Sequence, residues 1–373
     1  MRVVPINELR PDMRLGKDVC SAYGELYLRK DTLLTDEYIR RLHTLGFNGI
    51  VIDDPLSEGI ELEDLVDSTL RDRAVCKVRE LYRRGASCPM RKSDWRSLES
   101  LLHDILSELL ETERLANNII DLKAFDDYTF CHSVNVAFLS AATGISLGLT
   151  RAKLHELLMG AILHDIGKIY VPHSILSKPS ALTREEFEIM KTHSRHGYEY
   201  LSGMDDMVSQ DACIGVLHHH ERFDGRGYPS GLAGGQIAAF GRIIAVCDVY
   251  DAITSNRPYR TAWSPSEAIE YIMGNLSIQF EPDVARAFLK RIAPYPAGTL
   301  VRLSDGRAAI VVRNNPDLVF RPLVRIYEHE GEPVTPYFID MASDRTALSV
   351  TIQAVLSQST QKPLSRGCIL EAP

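Results

Sequence analysis

Between residues 129 and 260 the sequence sets histidines and aspartates inside otherwise apolar stretches. His164-Asp165 lies in AILHDIGKIYVP, His219-His220 in LHHHERFDGRGYP, and Asp248 in IIAVCDVYDAI. A fold that buries these stretches must bury imidazoles and carboxylates with them. Taking such groups out of water is strongly unfavourable unless they are paired. A shared metal ion is the simplest partner for so many at once, so the segment must fold around a ligand cluster.

The candidate ligands, in order, are His132, His164, Asp165, His193, His219, His220 and Asp248. Seven ligands exceed what one ion of four to six coordination takes alongside water and substrate. A second ion joined by a bridging carboxylate would employ them all, with Asp165 and Asp248 available for bridging or terminal ligation. Imidazole with carboxylate suits Fe, Mn, Zn or Ni, and the lack of cysteine ligands weakens a structural zinc. Each histidine also has a plainer reading. His132 in YTFCHSVNVAF could be a hydrogen-bonded core residue, His193 and His196 surface residues, and one of His218, His219 and His220 merely structural. Cys131 and Cys247 sit in apolar contexts and read as small core residues.

Helical spacing adds two candidates. Lys168 follows His164 by four residues and Asp165 by three, which would place it on their face of a helix. It reads either as a cation for a phosphate oxygen or as a solvated surface lysine. Asp251 follows Asp248 by one turn and reads either as an acceptor orienting a ligand histidine or as a helix salt bridge.

The 373 residues divide into four regions. Residues 1–57 alternate short apolar stretches with turn signals and predict a small α+β module. Residues 58–124 repeat apolar positions at helical spacing and predict a helical linker, as a connector or a dimer-forming pair. Residues 125–294 are predominantly helical with a Gly- and Pro-rich loop from 223 to 235. Residues 295–373 alternate apolar and polar residues around Asp305-Gly306 and Glu330-Gly331 and predict a β-rich extension. The net charge of −8 argues against a binder of nucleic-acid polymers or membrane surfaces. No apolar run approaches a membrane span, MRVVPINELRPDM lacks a signal-peptide layout, and seven cysteines without a CxxC pair suit a reducing compartment. The expected setting is the cytoplasm.

With these residues in hand, the chain resembles the HD-GYP subgroup of the HD metal-dependent phosphohydrolases, bacterial cyclic di-GMP phosphodiesterases. HSVNVA, HDIGK, SKPSALTREEFEIMKTHSRHG, HHERFDGRGYP and AVCDVYDAITSNRPYR occur in the subgroup's order. HD followed by Lys is common to many phosphohydrolases, whereas HHE with DGRGYP is specific. VPINELRPDMRLGKDV and the tail after Pro294 are similar to modules that flank the domain in other members. The resemblance implies a mainly α fold, with an HD-type helical bundle between the small N-terminal module and the C-terminal β-rich element. It makes the seven residues above metal ligands, with Asp165 as the bridge. Lys168 would contact the scissile phosphate, Gly227, Tyr228 and Pro229 would shape the substrate pocket, and Arg257 and Arg260 would lie near the substrate phosphates. It implies two divalent ions, iron first and manganese next, and conversion of cyclic di-GMP to pGpG, in some members on to GMP.

Three positions depart from the subgroup. Tyr128 stands where some members with three metals carry glutamate, which predicts a dinuclear site. Ser194 replaces a common proline and Ser180 a common glycine, both backbone-shaping changes. No catalytic position is missing. The expected reaction is in-line attack of a metal-bridging hydroxide on phosphorus, with Lys168 offsetting phosphoryl charge and Arg257 and Arg260 gripping the second phosphate. Plain helix-end charge is the alternative for the two arginines. Tyr228 would either stack on guanine or be a buried loop tyrosine. Two rivals stand beside this reading: a cyclic di-GMP receptor or signalling-protein partner with little turnover, and a phosphohydrolase for another cyclic dinucleotide. A homodimer through residues 60–120 is compatible with each.

Overall fold

The computed structural model describes all residues except 22–23, 48, 63, 85–90, 112–127, 179, 205–206, 256–261, 316–317 and 357–373, and the side chains of Arg84 and Tyr128. Arg257, Arg260 and the Tyr128 side chain therefore lie outside the described residues. The chain forms two compact units, one of residues 1–20, 26–63 and 293–373, the other of 21–25 and 64–292. The architecture is mainly α with a small C-terminal sheet.

The first unit starts with strand β1 (Arg2–Pro5), followed by β2 (Arg14–Leu15), β3 (Val19–Cys20), β4 (Leu26–Leu28), helix α1 (Asp36–Thr44) and β5 (Gly49–Asp53). Central β5 pairs antiparallel with β1 and β2. Thr35 caps α1 by accepting from the Tyr38 N–H, and Leu42 points into a core with Val4, Leu15 and Ile52. Its C-terminal part is a five-stranded antiparallel sheet: β6 (Leu300–Leu303), β7 (Ala308–Arg313), β8 (Leu323–His329), β9 (Glu332–Asp340) and β10 (Ile352–Val355), in the order β10-β6-β7-β8-β9. The β8–β9 hairpin turns at Glu330 and Gly331, both at positive φ, as a two-residue turn between right-twisted strands requires. The two ends of the chain, expected as separate modules, thus join one unit. Arg325 of β8 donates to the carbonyls of Leu56 and of Glu58, the latter at 2.7 Å.

The second unit contains α2 (Ser68–Arg84), α3 (Lys92–Glu111), α4 (Tyr128–Ser146), α5 (Arg151–Ile162), the short α6 (His173–Leu176), α7 (Arg184–Ser202), α8 (Gln210–His218), α9 (Ala239–Thr254), α10 (Pro265–Gly274) and α11 (Pro282–Leu289). Helices α2 and α3, expected as a linker, pack within this unit, α2 against α3 and α4 and α3 against α5. Their apolar stripes, including Val75, Val78, Trp95, Leu98, Leu102 and Ile105, belong to the unit's own core. Stripes of that width are stable only when covered. Among the described residues no helix is long and apolar enough to cross a membrane.

Candidate metal centre

Helices α4, α5, α7, α8 and α9 each bring part of the cluster to the interior. His132 projects from α4, His193 from α7 and Asp248 from α9, while His219 and His220 follow the end of α8. His164 and Asp165 do not ride on a continuous helix, as their spacing with Lys168 suggests. Helix α5 ends at Ile162 and the chain tightens into a short 3-10 helix over Ile166–Tyr170. Residues three apart eclipse one another in such a turn, so Asp165 and Lys168 are brought into an ion pair.

The tight turn has a packing reason. Gly167 lies so close to α7 that a Cβ there would sit 1.9 Å from the His193 carbonyl oxygen and 2.4 Å from the Gly197 nitrogen. This approach carries His193 to Asp165, with Nε2 to Oδ1 at 3.4 Å. Helix α7 is held at its start by a capping box between Thr183 and Glu186.

The ligand atoms fall into two sets that share Asp165: His132, His164 and Asp165, and Asp165, His193, His219 and His220, the atoms of each set lying within 4.8 Å of one another. Asp248 joins both sides, its Oδ1 3.1 Å from His132 Nε2 and its Oδ2 3.6 Å from His220 Nδ1. Asp165 Oδ2 lies 3.4 Å from His164 Nε2.

The hydrogen bonds behind these rings fix which nitrogen faces inward. Nδ1 of His164, His193 and His219 meets the carbonyls of Ala161, Met190 and Val216 at 2.8, 2.7 and 2.6 Å. A carbonyl can only accept, so each Nδ1 carries the proton and each Nε2 presents a lone pair. Burial lowers the pKa of His193 to about 4 and of His220 to about 3, and puts His219 well below the ordinary value. Nε2 of His193 and of His219 then face each other at 3.2 Å with no proton between them, and Nε2 of His164 is buried with no hydrogen-bond partner. Orphaned buried acceptors are costly. A divalent cation resolves all three, so the donor set fits a metal.

The carboxylates agree. Burial favours the neutral acid, yet Lys168, His164 and His193 hold Asp165 well below the ordinary carboxylate range. Asp248 is likewise depressed against burial, by His132 and His220. At His132 burial opposes charge, but Asp248 and Asp251 raise its pKa to about 9. The cluster is a divalent-metal site of imidazoles and ionised carboxylates.

The HD domain family model matches residues 97–284, about half of the chain and the whole ligand cluster. The chain belongs to the HD domain family. Within it, HHE and DGRGYP mark the HD-GYP subgroup. Three relatives are named cyclic di-GMP phosphodiesterases. The Pseudomonas aeruginosa protein PA4108 is 41% identical over 61% of this chain and 54% of its own length. The response regulator RpfG of Xanthomonas campestris is 33% identical over 70% of this chain and 75% of its own. A Thermotoga maritima protein is 40% identical over half of each. The chain thus spans about half the length of two of these relatives.

In this HD domain the loop after His220 closes over the cluster. The ring of Tyr228 lies against that of His220, with centroids 4.7 Å apart and planes at 33°, and its amide donates to the His220 carbonyl. Tyr228 is therefore a wall of the cluster. Gly227 permits the fold-back, because a Cβ would meet the Arg222 nitrogen at 2.4 Å.

Several residues acquire roles that their spacing alone did not disclose. Glu221 is 3% exposed and accepts the N–H groups of Ser230 at 2.7 Å and Leu232 at 3.0 Å, tying the loop down. Its signal was an acidic residue directly after two ligands, ahead of a glycine-rich loop. Glu221→Gln sets an amide against one of these donors at a cost of about 1–3 kcal/mol, and should speed limited proteolysis within 225–235 while sparing the helices. An unchanged cleavage rate would remove Glu221 as the anchor. Asp251 orients His132, its Oδ2 2.7 Å from Nδ1, which favours the first of its two readings over a helix salt bridge. His218 is the structural member of its run, its Nδ1 accepting from the Ala238 N–H at the start of α9. Cys131 and Cys247 are buried in the core as expected.

Proposed function

We propose that this chain is a metal-dependent phosphodiesterase that hydrolyses cyclic di-GMP to pGpG at two divalent ions, iron or manganese. The observation that carries the reading is the sharing of Asp165 between two ligand sets, buried except for the part-exposed His220, the arrangement a two-ion site needs. The names of the relatives support the substrate. When bound, the ions supply a water nucleophile at neutral pH and polarise the phosphodiester.

The chain's own groups do the rest. Lys168, with a quarter of its side chain exposed beside buried Asp165, offsets charge on the phosphoryl oxygens as the 3′-oxygen leaves. Gly227, Tyr228 and Pro229 form the wall that excludes water on the His220 side. Arg257 and Arg260 hold the second phosphate as guanidinium forks. The cytoplasm is the proposed setting, supported by a sequence whose seven cysteines form no CxxC pair.

Timed turnover of cyclic di-GMP, cyclic di-AMP and cyclic GMP-AMP by the metal-loaded protein, with products separated chromatographically, tests this reading. The expected result is fastest loss of cyclic di-GMP with pGpG appearing first, and any GMP later. Tight binding of cyclic di-GMP without turnover would make the protein a receptor. Faster cleavage of another cyclic dinucleotide would reassign the substrate.

A further inference from the structure

Behind His132 a line of polar side chains leads out of the ligand cluster to a helix that precedes the family-matched segment. Asp251 Oδ2 lies 2.7 Å from His132 Nδ1, and Asp251 Oδ1 accepts from Asn135 Nδ2 at 2.8 Å. Asn135 Oδ1 in turn accepts from Arg71 Nη2 of α2 at 2.9 Å. Asn135 is completely buried and Asp251 is 1% exposed.

Each member has only one way to serve. A guanidinium can only donate and a carboxylate only accept, so between Arg71 and Asp251 the Asn135 amide has one orientation. That orientation points its N–H at Asp251, and Asp251 then accepts the hydrogen bond from His132 Nδ1–H, leaving Nε2 to face Asp248 and the ligand set. Without the guanidinium, the amide oxygen of Asn135 loses its donor in a site where an unsatisfied group is costly. Turning the amide over would set its oxygen against the Asp251 carboxylate.

We propose that Arg71 is a positioning residue for the metal centre, acting through Asn135 and Asp251 to hold His132 in its ligating orientation. The inference rests on the reading of the cluster as a two-ion site and adds α2 to the structure that supports it. Arg71 acts directly on the His132, His164 and Asp165 set, and reaches the set containing His193, His219 and His220 only indirectly, through Asp165 and Asp248.

Anaerobic Mn²⁺ titration of the 373-residue apoprotein, with free Mn²⁺ read by electron paramagnetic resonance, tests it alongside thermal unfolding of the metal-free forms. R71M should weaken one binding step by about 10–100-fold and leave the other within a few-fold, with the metal-free Tm lowered by no more than the roughly 2–12 °C that one unsatisfied buried group costs. R71K, which keeps a charged donor, should restore most of the affinity. N135A should reproduce the loss, and the R71M/N135A double variant should lose little more than either single change. R71Q gives the same comparison should R71M not fold. Unchanged binding in R71M, or equal weakening of both steps with a lowered metal-free Tm, would overturn the role while leaving the two-ion site standing. Wild-type protein that binds no Mn²⁺ would overturn both.

Discussion

Asp165→Ala is expected to lower hydrolysis of cyclic di-GMP by on the order of 10³-fold or more, with loss of at least one bound ion and an unchanged helical signal. Among the described residues, Asp165 is the one common to the two ligand sets, one of its oxygens facing His193 and the other His164. Truncation therefore removes a donor from both sets at once, where loss of His132 or His219 would weaken one. It also leaves Lys168 without the carboxylate that holds it beside the site. The bundle should survive, since the surrounding core of α4, α5, α8 and α9 is apolar and extensive. Metal analysis and a timed assay on the purified variant decide the matter. A fully active Asp165→Ala protein would remove the two-ion reading.

Gly167→Ala should be nearly as damaging by a different route. The added methyl would meet the His193 carbonyl and the Gly197 nitrogen, both backbone atoms, so no side-chain rotation can relieve it. Overpacking of this kind costs about 3 kcal/mol or more, which for a unit of this size lowers Tm by roughly 6–12 °C. Separating the 3-10 turn from α7 would also draw His193 off Asp165, so activity should fall further than stability explains. Gly274→Ala is the control. It ends α10 with nothing near its would-be Cβ, and should shift stability by no more than about 0.5 kcal/mol. Comparable melting of the two variants would show that the close approach at Gly167 has no special role.

The contrast between these glycines shows what was legible in the chain. His132, His164, Asp165, His193, His219, His220 and Asp248 could be read as ligands because buried histidines and carboxylates conflict with their apolar surroundings, and that conflict is local to each motif. The structure brings all seven together. The helical character of 125–294 and the hairpin turns at Gly306 and Gly331 were legible for the same reason, through periodicity and turn chemistry.

What stayed hidden depends on contacts between distant segments. Spacing suggested a continuous helix through His164 and Lys168, whereas the approach of α7 at Gly167 imposes the 3-10 turn. Asp251 had two readings until α4 placed His132 against it. Asn135 carried no signal of its own among the apolar residues of α4, and nothing near Arg71 in the sequence points 64 residues ahead to its partner. The amphipathic pattern of α2 and α3 showed that a face must be covered but not by what.

The most direct test of the central claim is metal content and turnover measured on the same anaerobic preparation. The account predicts about two Fe or Mn per chain and steady conversion of cyclic di-GMP to pGpG, both lost together on chelation and restored together on reloading. A protein carrying its ions and binding cyclic di-GMP without cleaving it would contradict the account.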